Sequence, residues 1–387
     1  MQKKILFDLT ATQPNKEGNF HGGGKYAKKV FLTMVGNAQI NPDNFFTFYD
    51  SNEALDPYIS QILTEKAIIN FDICKTGIRE IINERKITLL YSALPNHFSS
   101  GIISTDDLTF VSTIHGLRFL ETRPGFDSLN YVRGSGKIKL LAKIVLSKWL
   151  NRKFLKYYSG LVKNTTVITV SNHSKYSILS YFNKYKNKAI QVFYSPDVTS
   201  FSGEKEPGTA RIEYADYFLL VSGNRWVKNN LRSMLALDEL FTENSLSKKV
   251  IVTGVADPPM FLSRLKNKDK FIFLDYVDED YLLELYKNAF CFIYMSLNEG
   301  FGYPPLEAMK FDVPVISCPF TSITEICGEA VLYADPYSVK EIKNRILWLL
   351  NDEQKYAAMK EKGQLQYRKV RQQQDDDLNR LIQFVLN

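Results

Sequence analysis

The sequence predicts an α/β protein with two domains, each built on a parallel sheet that helices cover on both faces. The chain has 387 residues, which is enough for two domains with separate hydrophobic cores. Short apolar segments alternate with helical patterns through the second half and, less regularly, through the first half. Fully apolar strands that alternate with helices are typical of parallel sheets whose two faces are both buried.

The first half has one clear helix and five predicted strands. The helix covers 25–35, where apolar residues recur at the spacing of one helix face. A glycine cluster stands just before this helix and is expected to form a loop. The predicted strands of this half are 4–9, 45–49, 87–91, 108–114 and 166–170.

The second half alternates more regularly, which makes its elements easier to place. Helical patterns cover 229–240 and 280–289, and the predicted strands are 217–221, 249–253, 271–274, 290–294, 314–317 and 331–333. Between 195 and 214 the composition changes to Ser, Pro, Gly and charged residues, which is typical of an interdomain linker. The predicted domains are therefore 1–198 and 199–371, followed by a separate helix at 372–387.

The composition narrows the classes of protein. An apolar content of 45% is that of a folded globular chain, and no apolar run reaches the ~20 residues that cross a bilayer. The first apolar segment is too short for a signal peptide, and the four cysteines lack metal-ligand spacing. These features predict a cytoplasmic protein with reduced thiols.

The formal net charge of +7 leaves four interpretations open. Nucleic-acid binding is one, but no nucleic-acid motif accompanies the charge, so we expect no such partner. An anionic membrane surface and a basic cleft for a nucleotide diphosphate are two others. A solvated, lysine-rich surface is the fourth. The segment 137–158 mixes lysines with large apolar residues, which favours either peripheral membrane contact or a core helix with snorkelling lysines.

The most informative stretch follows the predicted strand 290–294. Two carboxylates, Glu299 and Glu307, flank a turn that contains Gly300 and Gly302, and a Pro-Pro pair at 304–305 is suited to opening a helix. Glycines let the backbone approach a ligand, and a helix start favours an anion. Carboxylates accept hydrogen bonds from sugar and ribose hydroxyls. Taken singly, Glu299 is better explained as a solvated loop acid and Glu307 as a complement to the helix dipole. Taken together with the glycines, the prolines and the preceding strand, the two acids favour a ligand site.

This stretch resembles a known family. Residues 299–309, Glu-Gly-Phe-Gly-Tyr-Pro-Pro-Leu-Glu-Ala-Met, match the E-x7-E motif of retaining glycosyltransferases and resemble glycosyltransferase family 4. The similarity continues through 314–317 and 321–325 and extends more weakly over most of the chain. The resemblance implies a GT-B fold: two facing Rossmann-like domains and a C-terminal helix that crosses back to pack on the first domain.

The same resemblance implies which residues hold the nucleotide-sugar donor. Glu299 would bind the transferred sugar, Glu307 the ribose, and Lys228 and Arg225 the diphosphate, together with backbone groups near Phe301 and Gly302. His115 matches the family's histidine that faces the donor sugar, although Gly116 replaces the aspartate that usually follows it. The remaining donor-site candidates, each with a structural alternative, are Gly22, Gly23, Gly24, Gly254, Tyr276 and Gly300.

The implied activity is transfer of a hexosyl group from a nucleoside-diphosphate sugar to a glycan or lipid-linked acceptor in cell-surface polysaccharide synthesis. GDP-mannose is the first donor to test. No metal or cofactor is expected, because Asp278 and Asp280 sit where a helix N-cap is predicted. Two alternatives stay open: another GT-B enzyme, such as a sugar-nucleotide epimerase or a phosphorylase, and a non-catalytic scaffold with this fold.

Overall fold

The protein is described by a computed structural model that covers residues 3–14, 22–38, 40–95, 98, 107–198 and 214–387. The chain divides into two compact units by its internal contacts. The first comprises Met1–Leu117, Lys153–Ser202 and Arg371–Asn387, and the second comprises Arg118–Arg152 and Gly203–Val370. His21 of the glycine cluster and residues 199–213 of the expected linker lie outside the described residues.

The first unit contains a sheet of parallel strands. In chain order its strands are β1 (Ile5–Asp8), β2 (Phe45–Tyr49), β3 (Ile69–Asp72), β4 (Leu89–Ser92), β5 (Thr109–Ile114), β6 (Thr166–Thr169) and β7 (Gln191–Val192). Their order across the sheet is β3-β2-β1-β4-β5-β6-β7. The sequence predicted five of them. It missed β3 and β7, because β3 is a partly exposed edge strand and β7 has only two residues.

The second unit contains a second parallel sheet. Its strands are β8 (Tyr217–Leu220), β9 (Val250–Val252), β10 (Phe271–Phe273), β11 (Ala289–Tyr294), β12 (Val315–Ser317) and β13 (Val331–Tyr333). The order β10-β9-β8-β11-β12-β13 places β8 and β11 at the centre. All six were predicted, since each is short, apolar and largely buried, and the expectation of parallel-sheet α/β architecture is confirmed.

Helices cover both sheets. Their bounds are α1 (Gly22–Val35), α2 (Pro57–Glu65), α3 (Ile78–Arg85), α4 (Arg118–Glu121), α5 (Ser135–Val145), α6 (Ser147–Asn164), α7 (Asn172–Tyr181), α8 (Asn230–Thr242), α9 (Pro259–Leu262), α10 (Glu279–Lys287), α11 (Tyr303–Lys310), α12 (Ile323–Cys327), α13 (Val339–Asn351) and α14 (Glu353–Leu386). No described helix is both long enough and apolar enough to span a membrane.

Three expectations about helices are corrected. Residues 22–24 form the first turn of α1 rather than a loop. Residues 372–387 are not a separate helix but the last part of the 34-residue α14. The pattern at 137–158 contains two helices, α5 and α6, which meet at Leu146.

The segment Arg118–Arg152 groups with the second unit, whereas the expected first domain, 1–198, included it. Tyr131 explains the grouping. Its ring packs against Phe261 at 5.6 Å between centroids, and its hydroxyl accepts a 3.0 Å hydrogen bond from the Leu231 amide. The buried Tyr131 ring thus holds its segment against the hydrophobic core of the second unit. The apolar periodicity of the sequence does not reveal this contact.

Candidate functional site

The loop that carries Glu299 leaves the central strand β11 at its carboxyl end. Ligands bind parallel sheets at this edge, because the loops that follow neighbouring strands converge there. The loop runs into α11, with Gly302 at the N-cap position and prolines in the first turn. The predicted order of strand, glycine-containing turn and helix start is confirmed.

The two glycines of this turn differ. Gly302 has φ of +114°, a conformation that side-chain-bearing residues rarely adopt, and an added Cβ would lie 2.9 Å from Ile323 Cδ1. Gly300 has no positive φ. Only Gly302 therefore requires glycine for backbone conformation. The carbonyls of Glu299 and Phe301 both accept hydrogen bonds from the Ser322 hydroxyl, at 3.0 and 2.7 Å, which fixes the turn.

The Glu299 carboxylate is buried, with 8% of the residue exposed, and its Oε1 accepts three hydrogen bonds. The donors are Lys228 Nζ at 2.6 Å, the Tyr294 hydroxyl at 2.8 Å and the Ser296 hydroxyl. Oε2 faces Arg118, whose Nη2 lies 3.6 Å away. This separation is too long for a good hydrogen bond. Oε2 thus keeps acceptor capacity that a ligand hydroxyl can use.

Lys228 reaches Glu299 from the loop after β8, the neighbouring central strand. It ends a short 3-10 turn, Trp226–Lys228, which a 2.8 Å hydrogen bond from the Leu297 amide to the Val227 carbonyl ties to the Glu299 loop. Its ammonium donates to Glu299 and, at 2.6 Å, to the Tyr294 hydroxyl. A lysine ammonium has three donors. The third finds no acceptor among the described residues, so it is available to a phosphate oxygen.

Arg118, on α4, is a third charged side chain beside the Lys228–Glu299 pair. Its Nε is buried and has no hydrogen-bond partner among the described residues. Next to it, Asn298 Nδ2 donates a 2.7 Å hydrogen bond to Glu121, also on α4. The structure places Arg118, with Tyr294 and Ser296, in the polar cluster around Glu299.

The charges of this cluster stabilise the ionised carboxylate. Burial alone would raise the pKa of Glu299, but the charges of Lys228 and Arg118, with hydrogen bonds from Lys228 and Ser296, lower this pKa to about 2. Burial lowers the pKa of Lys228, and the Glu299 carboxylate opposes that change. Burial also raises the pKa of Tyr294 well above its usual value. At neutral pH the site is therefore an ion pair joined by a neutral tyrosine.

The other candidates of the second unit lie at the same sheet edge. Gly254, with φ of +70°, accepts a hydrogen bond from the Asn224 amide at 2.9 Å and donates one to the Asp275 carbonyl at 3.1 Å. It therefore joins the loops that follow β8, β9 and β10. Arg225 is exposed next to Lys228, and Tyr276 is exposed at the end of this row of loops.

Glu307 lies in the second turn of α11. Its carboxylate is close enough to the buried Tyr286 hydroxyl to affect it. Burial first, and then the charge of Glu307, raise the pKa of Tyr286 well above its usual value. The role of Glu307 toward a ribose stays a prediction.

In the first unit, Gly23 and Gly24 pack closely and Gly22 is exposed. A Cβ added to Gly23 would lie 2.7 Å from the Leu94 side chain, so glycine is required there by packing. His115 follows β5, and its Nε2 lies 3.0 Å from the Ala93 carbonyl, with its ring edge-on to Tyr26 at 4.6 Å. This contact holds the imidazole in place, and a role for His115 toward a sugar stays a prediction.

No cluster of three potential metal ligands occurs in the part of the chain that the structure describes. Asp278 instead caps α10, accepting a 2.7 Å hydrogen bond from the Tyr281 amide, as the sequence predicted.

The two parallel sheets and the helices that cover them define a GT-B fold. Solved structures agree with that fold over nearly the whole chain. A glycosyltransferase from Rickettsia africae aligns with a TM-score of 0.64 at 15% identity, covering 99% of this chain and 98% of its own. HepE from Anabaena, in complex with UDP and glucose, aligns with a TM-score of 0.63 at 14% identity, covering 98% and 99%. WaaG, a glycosyltransferase involved in lipopolysaccharide biosynthesis, aligns with a TM-score of 0.63 at 14% identity, covering 98% of this chain and 99% of its own.

Sequence comparison narrows the class. Residues 226–366 match the family model described as "Glycosyl transferases group 1". The resemblance drawn from residues 299–309 is thereby confirmed.

Two of the curated relatives are mannosyltransferases of bacterial O-antigen chains. The O-antigen chain mannosyltransferase RfbU of Salmonella typhimurium is 32% identical over 184 residues, which are 46% of this chain and 49% of that protein. The O-antigen chain mannosyltransferase B of Escherichia coli is 32% identical over 197 residues, 48% of this chain and 52% of that protein. The chain thus spans about half the length of the curated relatives it matches.

Proposed function

We propose that this protein is a retaining glycosyltransferase that moves a hexosyl group from a nucleoside-diphosphate sugar to a glycan or lipid-linked acceptor. One observation carries the proposal: a buried Lys228–Glu299 pair, at the carboxyl edge of the sheet, with one free ammonium donor and one under-used carboxylate oxygen. A donor sugar diphosphate offers an anion for the first and hydroxyls for the second. The family match to residues 226–366 supports the same activity.

The diphosphate would lie between Lys228 and the start of α11. The free N–H of Lys228, the guanidinium of Arg225 and the backbone amides near Phe301 and Gly302 are the donors on offer, and the helix dipole adds positive potential. Glu299 Oε2 would accept a hydroxyl of the transferred sugar, and Glu307 would accept those of the ribose. These groups would bind the two ends of the donor and leave its anomeric carbon between them.

The chemistry needs positioning and charge stabilisation more than a nucleophile. Breaking the glycosidic bond to phosphate gives an oxocarbenium-like sugar and a diphosphate whose charge grows. Lys228 and Arg225 stabilise that charge, and preorganised donors in a dry site are effective because they need no rearrangement. In this proposal the departing phosphate oxygen takes the acceptor hydroxyl's proton, and no metal or cofactor takes part.

The relatives' names favour mannose as the transferred sugar, so GDP-mannose is the first donor we propose and bacterial cell-surface polysaccharide the setting. A scaffold without activity would have no need for the paired charges of Lys228 and Glu299. Where the acceptor is lipid-linked, the protein would act at the inner face of the membrane and contact it through the segment 137–158.

A thermal-shift panel tests the proposal. GDP, UDP, dTDP and ADP should differ in the rise they cause in the melting temperature, with GDP giving the largest. At about 100 times its Kd, a bound nucleotide adds about 2.7 kcal/mol to the free energy of unfolding. The nucleotide with the largest effect then defines the donor for a transfer assay. Four nucleotides with no effect at millimolar concentration would contradict a nucleoside-diphosphate site.

A further inference from the structure

The positive charge of this protein is concentrated in one part of the sequence. Residues 128–196 contain 13 of the chain's 49 Lys and Arg and none of its 42 Asp and Glu. The rest of the chain therefore carries a net negative charge, although the whole has +7. The excess positive charge is therefore local to residues 128–196. A negatively charged binding partner is expected on the surface that this segment forms.

Within this segment, α5 has no buried residue. Leu146 joins it to α6: the amides of Leu146 and Leu150 donate to the carbonyls of Ala142 and Leu146, at 2.8 and 3.0 Å. Along this path the more covered positions, 136, 140, 144 and 147, recur every three or four residues and form one face. Only that face is turned toward the protein.

The opposite face carries the large apolar side chains. Ile138 is 71% exposed, Val145 79% and Trp149 60%, with the exposed Leu141 between them. We call these four residues the 138–149 ridge. Their spacing of three, four and four residues places them on one line along the helices. In a soluble protein, a row of large apolar side chains on a helix normally packs against a hydrophobic core. The 138–149 ridge instead faces solvent.

Lysines flank the ridge on both sides. At about 100° per residue, Lys137 and Lys148 lie on one side of it, and Lys139 and Lys143 on the other. All four are exposed, and none makes an ion pair with another residue of the described chain. The surface thus has an apolar centre, two basic borders and a tryptophan at one end.

We propose that α5 and the first turn of α6 lie on an anionic lipid bilayer, with the 138–149 ridge among the acyl chains and the four lysines at the headgroup phosphates. This pattern suits a bilayer, because an interfacial helix buries its apolar face about 5–10 Å deep among the lipids. Anionic headgroups then lie on both sides of the ridge, where the lysines are. Nucleic acid would match the lysines but gives Ile138, Leu141 and Val145 no apolar partner. The proposal narrows the wider 137–158 contact to one helix face and does not depend on which sugar is transferred.

Vesicle co-sedimentation of the full chain tests it. The wild-type protein should pellet with phosphatidylcholine vesicles that contain phosphatidylglycerol, and far less with phosphatidylcholine alone or at high salt. Charge reversal of Lys137, Lys139 and Lys143 to Glu should lower the partition coefficient by about 100-fold or more, because each removed lysine costs about fivefold and the added glutamates repel the anionic lipids. Serine at Ile138, Val145 and Trp149 should lower it about tenfold or more.

A matched control keeps the net charge of the reversal variant. Lys362, Arg368 and Lys369, exposed on α14, are changed to Glu instead, and this variant should bind vesicles nearly as well as wild type. Trp149 fluorescence should shift to shorter wavelength on vesicle binding, and Trp149→Phe should remove that change while binding persists.

Two outcomes would overturn the proposal. One is sedimentation that the ridge and lysine variants leave unchanged. The other is a wild-type dimer in light scattering that the serine variant converts to a monomer, which would make a second copy the occupant of the ridge. Nucleotide binding should be the same in all these variants, so failure here is distinct from failure of the glycosyltransferase proposal.

Discussion

Replacing Glu299 with alanine should lower the rate of glycosyl transfer by about 10³-fold, while the affinity for the nucleoside diphosphate changes only a few fold. The reason is that the two carboxylate oxygens of Glu299 make different contacts. Oε1 holds Lys228, Tyr294 and Ser296 in place, and Oε2 is the oxygen offered to the sugar. The nucleotide part of the donor does not need Glu299. Initial rates with the donor found by thermal shift, together with calorimetric Kd values, measure both effects.

The same change should reduce stability, because it leaves the Lys228 ammonium buried beside Arg118 without its carboxylate. Removing one partner of a buried ion pair costs about 3–5 kcal/mol. Glu299→Gln keeps the shape and serves as the control for folding. The free energy of unfolding of Glu299→Gln should also depend less on acid. In wild type, folding lowers the pKa of Glu299 from 4.5 to about 2. The resulting stabilisation is present above pH 4.5 and is lost as the pH falls toward about 2.

That acid-dependent contribution corresponds to about 3 kcal/mol, since each pKa unit is worth about 1.4 kcal/mol. Denaturant titrations of wild type and Glu299→Gln between pH 5 and about 2.5 would reveal it as a difference in slope with pH. Equal turnover for Glu299→Gln and wild type would refute the sugar-binding role, whatever the stability data show.

Replacing Lys228 with methionine should weaken nucleoside-diphosphate binding by about tenfold or more and lower transfer by about 10²–10³-fold. Unlike Glu299, Lys228 is expected to touch the diphosphate itself, through the N–H that neither Glu299 nor Tyr294 accepts. The stability loss should be smaller than for Glu299→Ala, because Arg118, Tyr294 and Ser296 remain beside the carboxylate. Titration of each variant with the nucleotide measures the first effect directly.

Arg225→Ala is the matched control for this prediction. Arg225 is exposed beside Lys228, so its loss should weaken nucleotide binding without reducing the free energy of unfolding. A Lys228→Met protein that binds the nucleotide as tightly as wild type would contradict the assigned contact. The double variant Lys228→Met/Glu299→Gln should lose less stability than the sum of the losses of the two single variants. The reason is that neither member of the buried pair is then left charged without its partner.

The fold could be predicted from the sequence where local chemistry decides it. The six strands of the second sheet are short, apolar and largely buried, so each was visible as an apolar run. The start of α11 was visible in Gly302 and the Pro-Pro pair, and the cap of α10 in Asp278. Edge strand β3 was not visible, because partial exposure removes the apolar run that marks a central strand.

The site was predictable in part, and for the same reason. Glu299 and Lys228 stand in loops after predicted central strands, so the sheet edge brought them together as a parallel topology requires. Their direct 2.6 Å contact, and the Tyr294 and Ser296 hydroxyls that support it, depend on side-chain packing. Arg118 lies 181 positions from Glu299 in the chain, and only the grouping of its segment with the second unit reveals the pair.

We propose that the diphosphate of a nucleotide sugar binds between Lys228 and the start of α11. A crystal structure with the nucleoside diphosphate that gives the largest thermal shift tests this placement. A phosphate oxygen should lie within hydrogen-bond distance of Lys228 Nζ and of a backbone amide between Gly300 and Tyr303. A nucleotide bound elsewhere, with the Lys228–Glu299 pair untouched, would contradict it.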